Sequence, residues 1–270
     1  MGGVGGGGGL ELAGGESELD GEAEGVDQLP GLGSEQVGAD DLVGSSLTTV
    51  ERSARVWFDL TALCVVVGVG MQVVINARTP AYFGGSSLGR AANVFAFFTI
   101  QSNVIVGVTS ALLTVRVART STVFAVLRLV GVVAITVTMV IYHLTLAGLV
   151  QLDTTGQVAN QLQHTVVPLL CLVGWLVLGP RGSVSPRVAA LTVLFPLAYM
   201  VFTAVRGPLA SDWYPYPFAD VAALGYLRVA VNAVGIGLLF LALSFGAALL
   251  DRRLPGVRPC TVPVGTRGRR

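Results

Sequence analysis

The sequence predicts an all-α polytopic membrane protein in which six transmembrane helices form one bundle. Hydrophobic residues make up 53% of the 270 residues and charged residues only 12%, whereas a soluble domain has roughly 25% charged residues. The mean hydropathy of +0.72 agrees with this composition. Six apolar runs are each long enough for the ~20 residues that a helix needs to cross a bilayer. These runs lie at residues 57–76, 94–115, 124–150, 162–179, 188–206 and 222–250.

The segments that join the six runs are short and rich in turn-forming residues. Examples are "DTTGQ" between the third and fourth runs and "GPRGSVSPR" between the fourth and fifth. Clusters of glycine, proline, serine and aspartate of this kind interrupt helices. Because short connections place consecutive helices antiparallel, we expect the six helices to form a single transmembrane domain over residues 51–252.

The two ends of the chain differ from this domain in composition. Residues 1–50 hold ten of the sixteen acidic residues and fifteen of the thirty-five glycines, with no arginine, lysine or aromatic residue. Such a segment buries too little apolar surface to offset its chain entropy, so we predict a disordered tail; an acidic arm that binds a partner is the alternative. It also lacks the basic start and apolar core of a signal peptide. Residues 253–270 are predicted to form a basic tail.

The basic residues predict how the helices are oriented. All seventeen are arginine, and the complete lack of lysine is typical of a GC-rich bacterial genome. Thirteen fall on the side of both termini, and only four, Arg78, Arg90, Arg206 and Arg228, fall on the other side. Because arginine is enriched on the cytoplasmic side of membranes, we predict a multi-pass cell-membrane protein with both termini in the cytoplasm.

The cysteines and acidic residues exclude several classes of site. Cys64, Cys171 and Cys260 are scattered, so neither a zinc-binding spacing nor a disulfide framework is present. After residue 51 the acidic residues lie near the ends of the runs, which leaves no proton relay across the middle of the membrane. We therefore expect no metal and no cofactor. No nucleic-acid partner is expected either, and the expected partners are membrane lipids.

Polar residues gather where the second, third and fourth runs approach the predicted outer face. With a helical rise of about 1.5 Å per residue, these residues reach similar depths in the membrane. Ionisable side chains inside membrane spans are rare and are functional candidates, although bonding between helices is a common role for polar groups there. The group comprises Thr99, Gln101, Ser102, Asn103, Tyr142, His143, Asn160, Gln163 and His164.

Thr99 and His164 are the residue types of an activated nucleophile. A hydroxyl beside an imidazole attacks a carbonyl carbon while the imidazole takes up its proton. His164 lies four residues after Asn160 and four before Pro168. One helical face therefore offers an amide, an imidazole and a backbone carbonyl that has lost its helical hydrogen bond because proline has no N–H. Two supporting roles stay open in the sequence. The candidates are Asn160, Asn103, His143 or Asp220 for orienting the imidazole, and Gln101 or Asn103 for stabilising an oxyanion.

The last outward loop, "DWYPYPFAD", is aromatic and conformationally restricted. Two prolines flank Tyr216 and fix an extended backbone. One interpretation is an anchor at the membrane interface, where tryptophan and tyrosine are enriched. The other is a lid that excludes water from the polar site and grips an acyl chain through Tyr214 and Tyr216.

Three of these segments carry a resemblance to known families. "FFTIQSN", "QHTVVPLLCLVGW" and "WYPYPFADVAALGYLRVAVNAVG" closely resemble a family of bacterial six-pass membrane proteins over approximately residues 55–252. More distantly, their order and spacing are similar to the androgen-induced-gene family, eukaryotic six-pass threonine hydrolases that cleave fatty acid esters of hydroxy fatty acids. This resemblance implies that Thr99 is the nucleophile, that His164 is its base and that a fatty-acyl ester is the substrate. The "YPF" segment at Tyr216 matches an aromatic loop of that family.

The sequence thus favours a membrane-embedded esterase that acts on a lipid ester from the outer leaflet. Two other functions fit the same residues. In one, the polar pocket binds a lipid, a quinone or a small solute, or carries it across the membrane, without catalysis. In the other, the polar side chains join helices to one another and the protein is a structural partner of another membrane protein.

Overall fold

The structure is a computed structural model that describes residues 32–117, 119 and 121–254, with side chains from residue 49 onward. It divides the chain into two compact units, Met1–Gly44 and Ser45–Arg270. The described residues of the first unit are helical. Of the tail predicted for residues 1–50, residues 1–31 lie outside the described residues, and residues 32–50 belong to a helix. The tail predicted for residues 253–270 lies outside the described residues from position 255 onward.

The second unit is built of helices, which confirms the predicted all-α class. Among the described residues, six helical stretches are long and apolar enough to cross a membrane, and each overlaps one of the six apolar runs. The six-pass prediction is therefore confirmed, although several stretches begin earlier than predicted. The stretches are Thr49–Arg78, Phe98–Val115, Thr122–Leu146, Thr154–Leu178, Pro186–Leu209 and Val221–Arg253.

Several of these stretches contain more than one helical element. The α-helices in the described part of the chain are α1 (Leu32–Arg78), α2 (Ser87–Asn93), α3 (Phe98–Val115), α4 (Thr122–Ile141), α5 (Thr154–Gln161), α6 (Val167–Val173), α7 (Pro186–Leu191), α8 (Leu194–Leu209) and α9 (Val221–Arg253). The third and fourth stretches also contain π-helical turns at Tyr142–Leu146, Leu162–Val166 and Gly174–Leu178. Short 3₁₀ turns lie at Val94–Ala96 and Pro217–Ala219.

Capping side chains determine where several helices begin. Oδ1 of Asp153 accepts the N–H of Gly156 at 2.8 Å, and Oδ1 of Asp220 accepts the N–H of Ala223 at 2.9 Å. Such caps satisfy N–H groups that have no acceptor inside the helix. The cap at Asp153 explains why the fourth stretch starts at Thr154, ahead of its apolar run.

Helix α4 is the central element of the bundle. The most apolar part of its stretch is 67% buried, against 22% for the first and sixth stretches. It packs against α3, α6, α7 and α9. The largest cluster of buried apolar side chains includes Leu129 and Val133 from α4, Trp175 and, from α9, Phe240. Helix α4 thus packs against the helices that carry the polar residues of the second and fourth stretches, and these two stretches also contact each other.

Glycines allow close contact between the first and fourth stretches. A Cβ at Gly174 would lie 2.7 Å from Nε1 of Trp57, which is closer than packed atoms approach. The indole N–H of Trp57 instead donates to the backbone oxygen of Leu170 at 2.9 Å. Small residues at helix contacts of this kind let backbones approach closely in membranes.

Three charged side chains are buried at the end of the bundle that contains the start of α4 and the end of α9. Oδ2 of Asp251 accepts the N–H of Val184 at 2.9 Å, and Oδ1 lies 3.9 Å from Nη1 of Arg181. Arg128 donates to the backbone oxygen of Pro180 at 3.3 Å. These contacts join α4 and α9 to the connection before α7.

Candidate functional site

Thr99 lies at a break between two helical elements. The 3₁₀ turn at Val94–Ala96 ends in Phe97, whose backbone is extended with φ −82° and ψ 132°, and α3 starts at Phe98. Thr99 is thus the second residue of α3, where the backbone N–H has no acceptor within the helix. The hydroxyl oxygen of Tyr216 accepts this N–H at 3.1 Å.

His164 lies in the π-helical turn at Leu162–Val166, which ends two residues before Pro168. In this turn the N–H of Val167 donates to the oxygen of Leu162. The next N–H in that pattern would belong to position 168, and proline has none, so the oxygen of Gln163 lacks a helical donor. Nδ2 of Asn103 reaches it from α3 at 3.3 Å. The proline therefore widens the helix and creates a tie between the second and fourth stretches.

These two local features bring the threonine and the histidine together. Oγ1 of Thr99 lies 3.4 Å from Nε2 of His164 and 3.2 Å from the hydroxyl oxygen of Tyr216. Nδ1 of His164 lies 3.1 Å from the backbone oxygen of Asn160. The ring of Tyr142 stacks on the imidazole, with 4.0 Å between ring centroids and an angle of 24° between the planes. The imidazole is thus held at both nitrogens and on one face.

With a neutral imidazole, donors and acceptors in this group match in one arrangement. The oxygen of Asn160 only accepts, so Nδ1 of His164 carries the proton and Nε2 accepts. The hydroxyl proton of Thr99 is then directed to Nε2, which leaves Tyr216 to donate to Oγ1 of Thr99. The hydrogen bonds run in one direction, from Thr99 N–H through Tyr216 and Oγ1 to His164 and the peptide of Asn160.

The site opens into a cavity of about 390 Å³. The cavity is bordered by the first, second and fourth stretches, by the end of the third and by the loop before α9. Most of its lining surface is apolar. Polar side chains in the lining are Gln72, Asn76, Tyr82, Thr99, Tyr142, Asn160, Gln163, His164 and Tyr216.

A second, smaller cavity of about 100 Å³ reaches the same threonine from the other side. It lies between α4, α8 and α9, and its lining is almost entirely apolar. Thr99, Leu146 and Tyr216 line both cavities. The threonine hydroxyl is therefore placed at the junction of a larger, partly polar cavity and a smaller apolar one.

The loop before α9 holds Tyr216 firmly at this junction. Its ring stacks on Phe218 at 5.1 Å and meets Phe97 edge-on at 5.8 Å between centroids. Trp213 stacks on Phe83 at 5.0 Å. Burial raises the pKa of the Tyr216 hydroxyl above its ordinary value, so the phenol stays protonated at neutral pH.

No protein-family model, curated protein or solved structure matches this chain. Among the described residues, no three His, Cys, Asp or Glu side chains come together as ligands of a metal ion would.

The other residues predicted for the site lie elsewhere or act indirectly. Gln101 donates to the oxygen of Phe95 at 2.9 Å, away from both cavities. Asn103 is fully buried beneath Thr99 and donates to its backbone oxygen at 2.8 Å. His143 is exposed, and its Nε2 lies 3.2 Å from Oγ1 of Thr165.

Two aromatic-loop candidates are also outside the cavities. The ring of Tyr214 packs over Gly207, where a Cβ would overlap it. Asp220 caps α9. Asn160, by contrast, takes part through its main chain: its oxygen binds His164, while its side chain donates to the hydroxyl of Tyr142 at 2.5 Å.

Two functional candidates, Gln72 and Asn76, were missed by sequence reasoning, and the contact of Tyr142 with the imidazole was not predicted. Tyr142 was available as an aromatic residue beside His143 at the same depth, but its contact with His164 needs the packing of α4 on the fourth stretch. Gln72 and Asn76 are four residues apart near the end of α1, and Nε2 of Gln72 donates to Oδ1 of Asn76 at 2.8 Å. Two polar residues four positions apart on an otherwise apolar helix share one face, and this pattern could have indicated that the face lines a polar site.

Proposed function

We propose that this protein is a membrane-embedded lipid-ester hydrolase that uses Thr99 as nucleophile and His164 as general base. The observation that carries the proposal is the 3.4 Å contact between Oγ1 of Thr99 and Nε2 of His164 at the junction of two cavities. The arginine distribution supports placing this end of the bundle at the outer face of the cell membrane.

The proposed reaction has two stages that use the same groups. Oγ1 of Thr99 attacks the ester carbonyl carbon while its proton passes to Nε2 of His164, and the carbonyl oxygen becomes an oxyanion. When the carbonyl re-forms, the alcohol oxygen leaves and takes the proton from Nε2. Water then attacks the acyl-threonine in the same way, giving up a proton to His164, and the carboxylic acid is released as Oγ1 regains a proton.

The two cavities support a lipidic substrate. Their combined lining is dominated by apolar side chains, and the larger volume falls within the about 300–1,000 Å³ typical of small-molecule sites. The smaller cavity is lined almost entirely by apolar side chains and offers few groups to bind a polar part of a substrate. We therefore assign the acyl chain to the smaller cavity and the alcohol part of the ester to the larger cavity.

The resemblance of the segments around Thr99 and His164 to the androgen-induced-gene family supports the same assignment. In that family a threonine and a histidine are the catalytic pair, and "FFTIQ" and "HTVVP" contain the matching positions. The resemblance concerns residue types and their order. It is independent of the distance between the two side chains, which the sequence does not give.

Labelling of purified protein with a fluorophosphonate probe tests the proposal. The wild-type protein should label and should hydrolyse some members of a panel of lipid esters. Thr99→Ala should abolish both activities, whereas Thr99→Ser keeps a hydroxyl in place and should retain part of both. His164→Ala should lower turnover by about 10²–10⁴-fold, as removal of a general base does.

A matched control lies on the same helix. Thr109 is also buried in α3, but its hydroxyl bonds to the oxygen of Ile105 at 2.8 Å and not to another span. Thr109→Ala should therefore leave labelling and turnover unchanged. A folded wild-type protein that neither labels nor turns over any lipid ester would refute the hydrolase proposal.

The second candidate function is non-catalytic binding or transfer of a lipid or small hydrophobic ligand. The observation in its favour is the apolar extent of the two cavities, which continue well beyond the reach of Thr99. This candidate predicts no labelling. It also predicts that ligand affinity falls as much for Asn160 and Tyr216 variants as for Thr99 variants.

A further inference from the structure

The hydroxyl of Tyr216 makes two contacts with Thr99 that a nucleophile and its base do not require. It accepts the backbone N–H of Thr99 at 3.1 Å and lies 3.2 Å from Oγ1. Attack on an ester carbonyl creates a negatively charged oxygen, which needs hydrogen-bond donors about 2.7–3.1 Å away. The two amides expected in that role, Gln101 and Asn103, donate instead to backbone oxygens.

We infer that the hydroxyl of Tyr216 and the backbone N–H of Thr99 together form the oxyanion-binding site, which makes Tyr216 a further catalytic residue. This inference rests on the proposed hydrolase function. The carbonyl oxygen is bonded to the carbon that Oγ1 of Thr99 attacks, so in the tetrahedral intermediate it lies within reach of both groups that now contact each other.

The hydrogen-bond directions make this role available without a net proton transfer from tyrosine. In the resting site the phenolic oxygen accepts Thr99 N–H and directs its own proton to Oγ1. Once Oγ1 has bonded to carbon, the phenolic proton turns to the oxyanion. The N–H of Thr99 also becomes free to donate to it. Both donors return to their resting contacts when the carbonyl re-forms.

Two features hold the Tyr216 hydroxyl and the Thr99 N–H in position before a substrate binds. Tyr216 is only 8% exposed and is packed between Phe97 and Phe218, and prolines on both sides restrict its backbone. The N–H of Thr99 lies in the first turn of α3, where the helix dipole favours negative charge. Because the ring and the backbone are held in place, the donors change only their hydrogen-bond partners during the reaction. The raised pKa of the phenol keeps its proton in place.

Steady-state kinetics of Tyr216→Phe in the full-length, purified protein test the inference. Removal of one oxyanion donor lowers kcat by about 10²–10³-fold, and we expect this loss with little change in KM. Tyr226→Phe is the matched control. This substitution removes the same hydroxyl from a side chain on α9 that is 80% exposed and does not line the cavities. The control should keep wild-type kcat.

A second readout separates an oxyanion donor from a residue that only supports the fold. A long-chain alkyl boronic acid forms a tetrahedral adduct with Thr99, whereas the ether analogue of an ester substrate only occupies the cavities. Tyr216→Phe should weaken inhibition by the boronic acid at least tenfold and leave binding of the ether unchanged. Equal weakening of both ligands would overturn the inference, because it indicates a general change in the site.

Two results distinguish failure of this inference from failure of the proposed function. Active wild-type protein with an equally active Tyr216→Phe variant would overturn the oxyanion role and leave the hydrolase in place. Inactive wild-type protein would overturn both. If Tyr216→Phe does not fold, fluorinated tyrosines at position 216 change the acidity of the phenol while keeping its shape. A kcat that follows this acidity supports the role, and a constant kcat overturns it.

Discussion

Nδ1 of His164 lies 3.1 Å from the backbone oxygen of Asn160, which is one turn earlier in the same stretch. Because a peptide oxygen only accepts, this contact fixes the tautomer of the imidazole and directs Nε2 to Thr99. In Ser-His-Asp triads a carboxylate performs this orienting task. Here the peptide group performs it, and the π-helical turn before Pro168 supplies the required backbone geometry.

Pro168→Ala tests the link between helix geometry and the site. Alanine restores a backbone N–H at position 168, which can donate to a carbonyl of the preceding turn. An ordinary α-helix should then replace the wider π-helical turn. His164 would rotate away from Thr99. We expect turnover to fall about 10²-fold, as for small displacements of catalytic groups, with thermal stability equal or higher. Pro208→Ala in α8 is the control, since Pro208 lies inside a helix and lines neither cavity. Unchanged turnover in Pro168→Ala would contradict this explanation.

Asn103→Ala removes the tie between α3 and the turn that carries His164. Its amide donates to the oxygens of Thr99 at 2.8 Å and Gln163 at 3.3 Å. Intramembrane hydrogen bonds contribute ~0.6 kcal/mol on average and at most ~1.7 kcal/mol. The substitution should therefore lower the free energy of unfolding by an amount in this range. Turnover should fall as well. Calorimetry and ester hydrolysis measure the two effects. A variant that melts and turns over like wild type would exclude a role for the tie.

Gly237→Leu tests the assignment of the acyl chain to the smaller cavity. Gly237 lines that cavity, and a Cβ there would meet nothing within 4 Å, so a leucine fits only by taking up cavity space. We expect kcat/KM for the longest acyl chains to fall by about tenfold or more while short chains are retained. Gly235→Leu is the control on the same helix, because Gly235 is exposed and lies outside the cavity. Equal chain-length profiles would contradict the assignment.

Cysteine accessibility tests the predicted orientation. In a background without Cys64, Cys171 and Cys260, single cysteines at positions predicted to face outward should react with an impermeant reagent on intact cells. A cysteine at Ser183 should react only after permeabilisation, because the arginine distribution places that loop in the cytoplasm. The reverse pattern would move the proposed site to the cytoplasmic face. The positions predicted to face outward are Ser86 and Ser211 in connecting segments and Thr155 in the first turn of α5, all exposed.

Hydropathy was sufficient to predict the six spans because backbone groups in lipid must be paired within helices. The ends of the spans depend on chemistry that hydropathy does not record. The fourth span starts at Thr154 because Asp153 caps a polar first turn. The third span, predicted to continue to residue 150, ends at Leu146 before Gly148, which has a φ of +82°.

The composition of the site was less predictable than the fold. Thr99 and Tyr216 are 117 residues apart, and the packing of the last loop on α3 decides their contact. The position of Gln101 follows from helical geometry, since residues two apart do not share a face. Asn160 was a candidate for orienting His164, but its main-chain oxygen does so, and a main-chain contact leaves no signature in residue type.

The parts of the hydrogen-bonded site are synthesised at different times, because they lie far apart in the sequence. The threonine enters the membrane with the second span and the histidine with the fourth, but Tyr216 is synthesised only as the last span begins. A nascent chain with four inserted helices therefore has neither the phenol nor the wall that α8 and α9 provide. Under the proposed function, the oxyanion donors and the acyl-chain cavity are complete only after the last span has docked, so a truncated polypeptide should lack most of the activity.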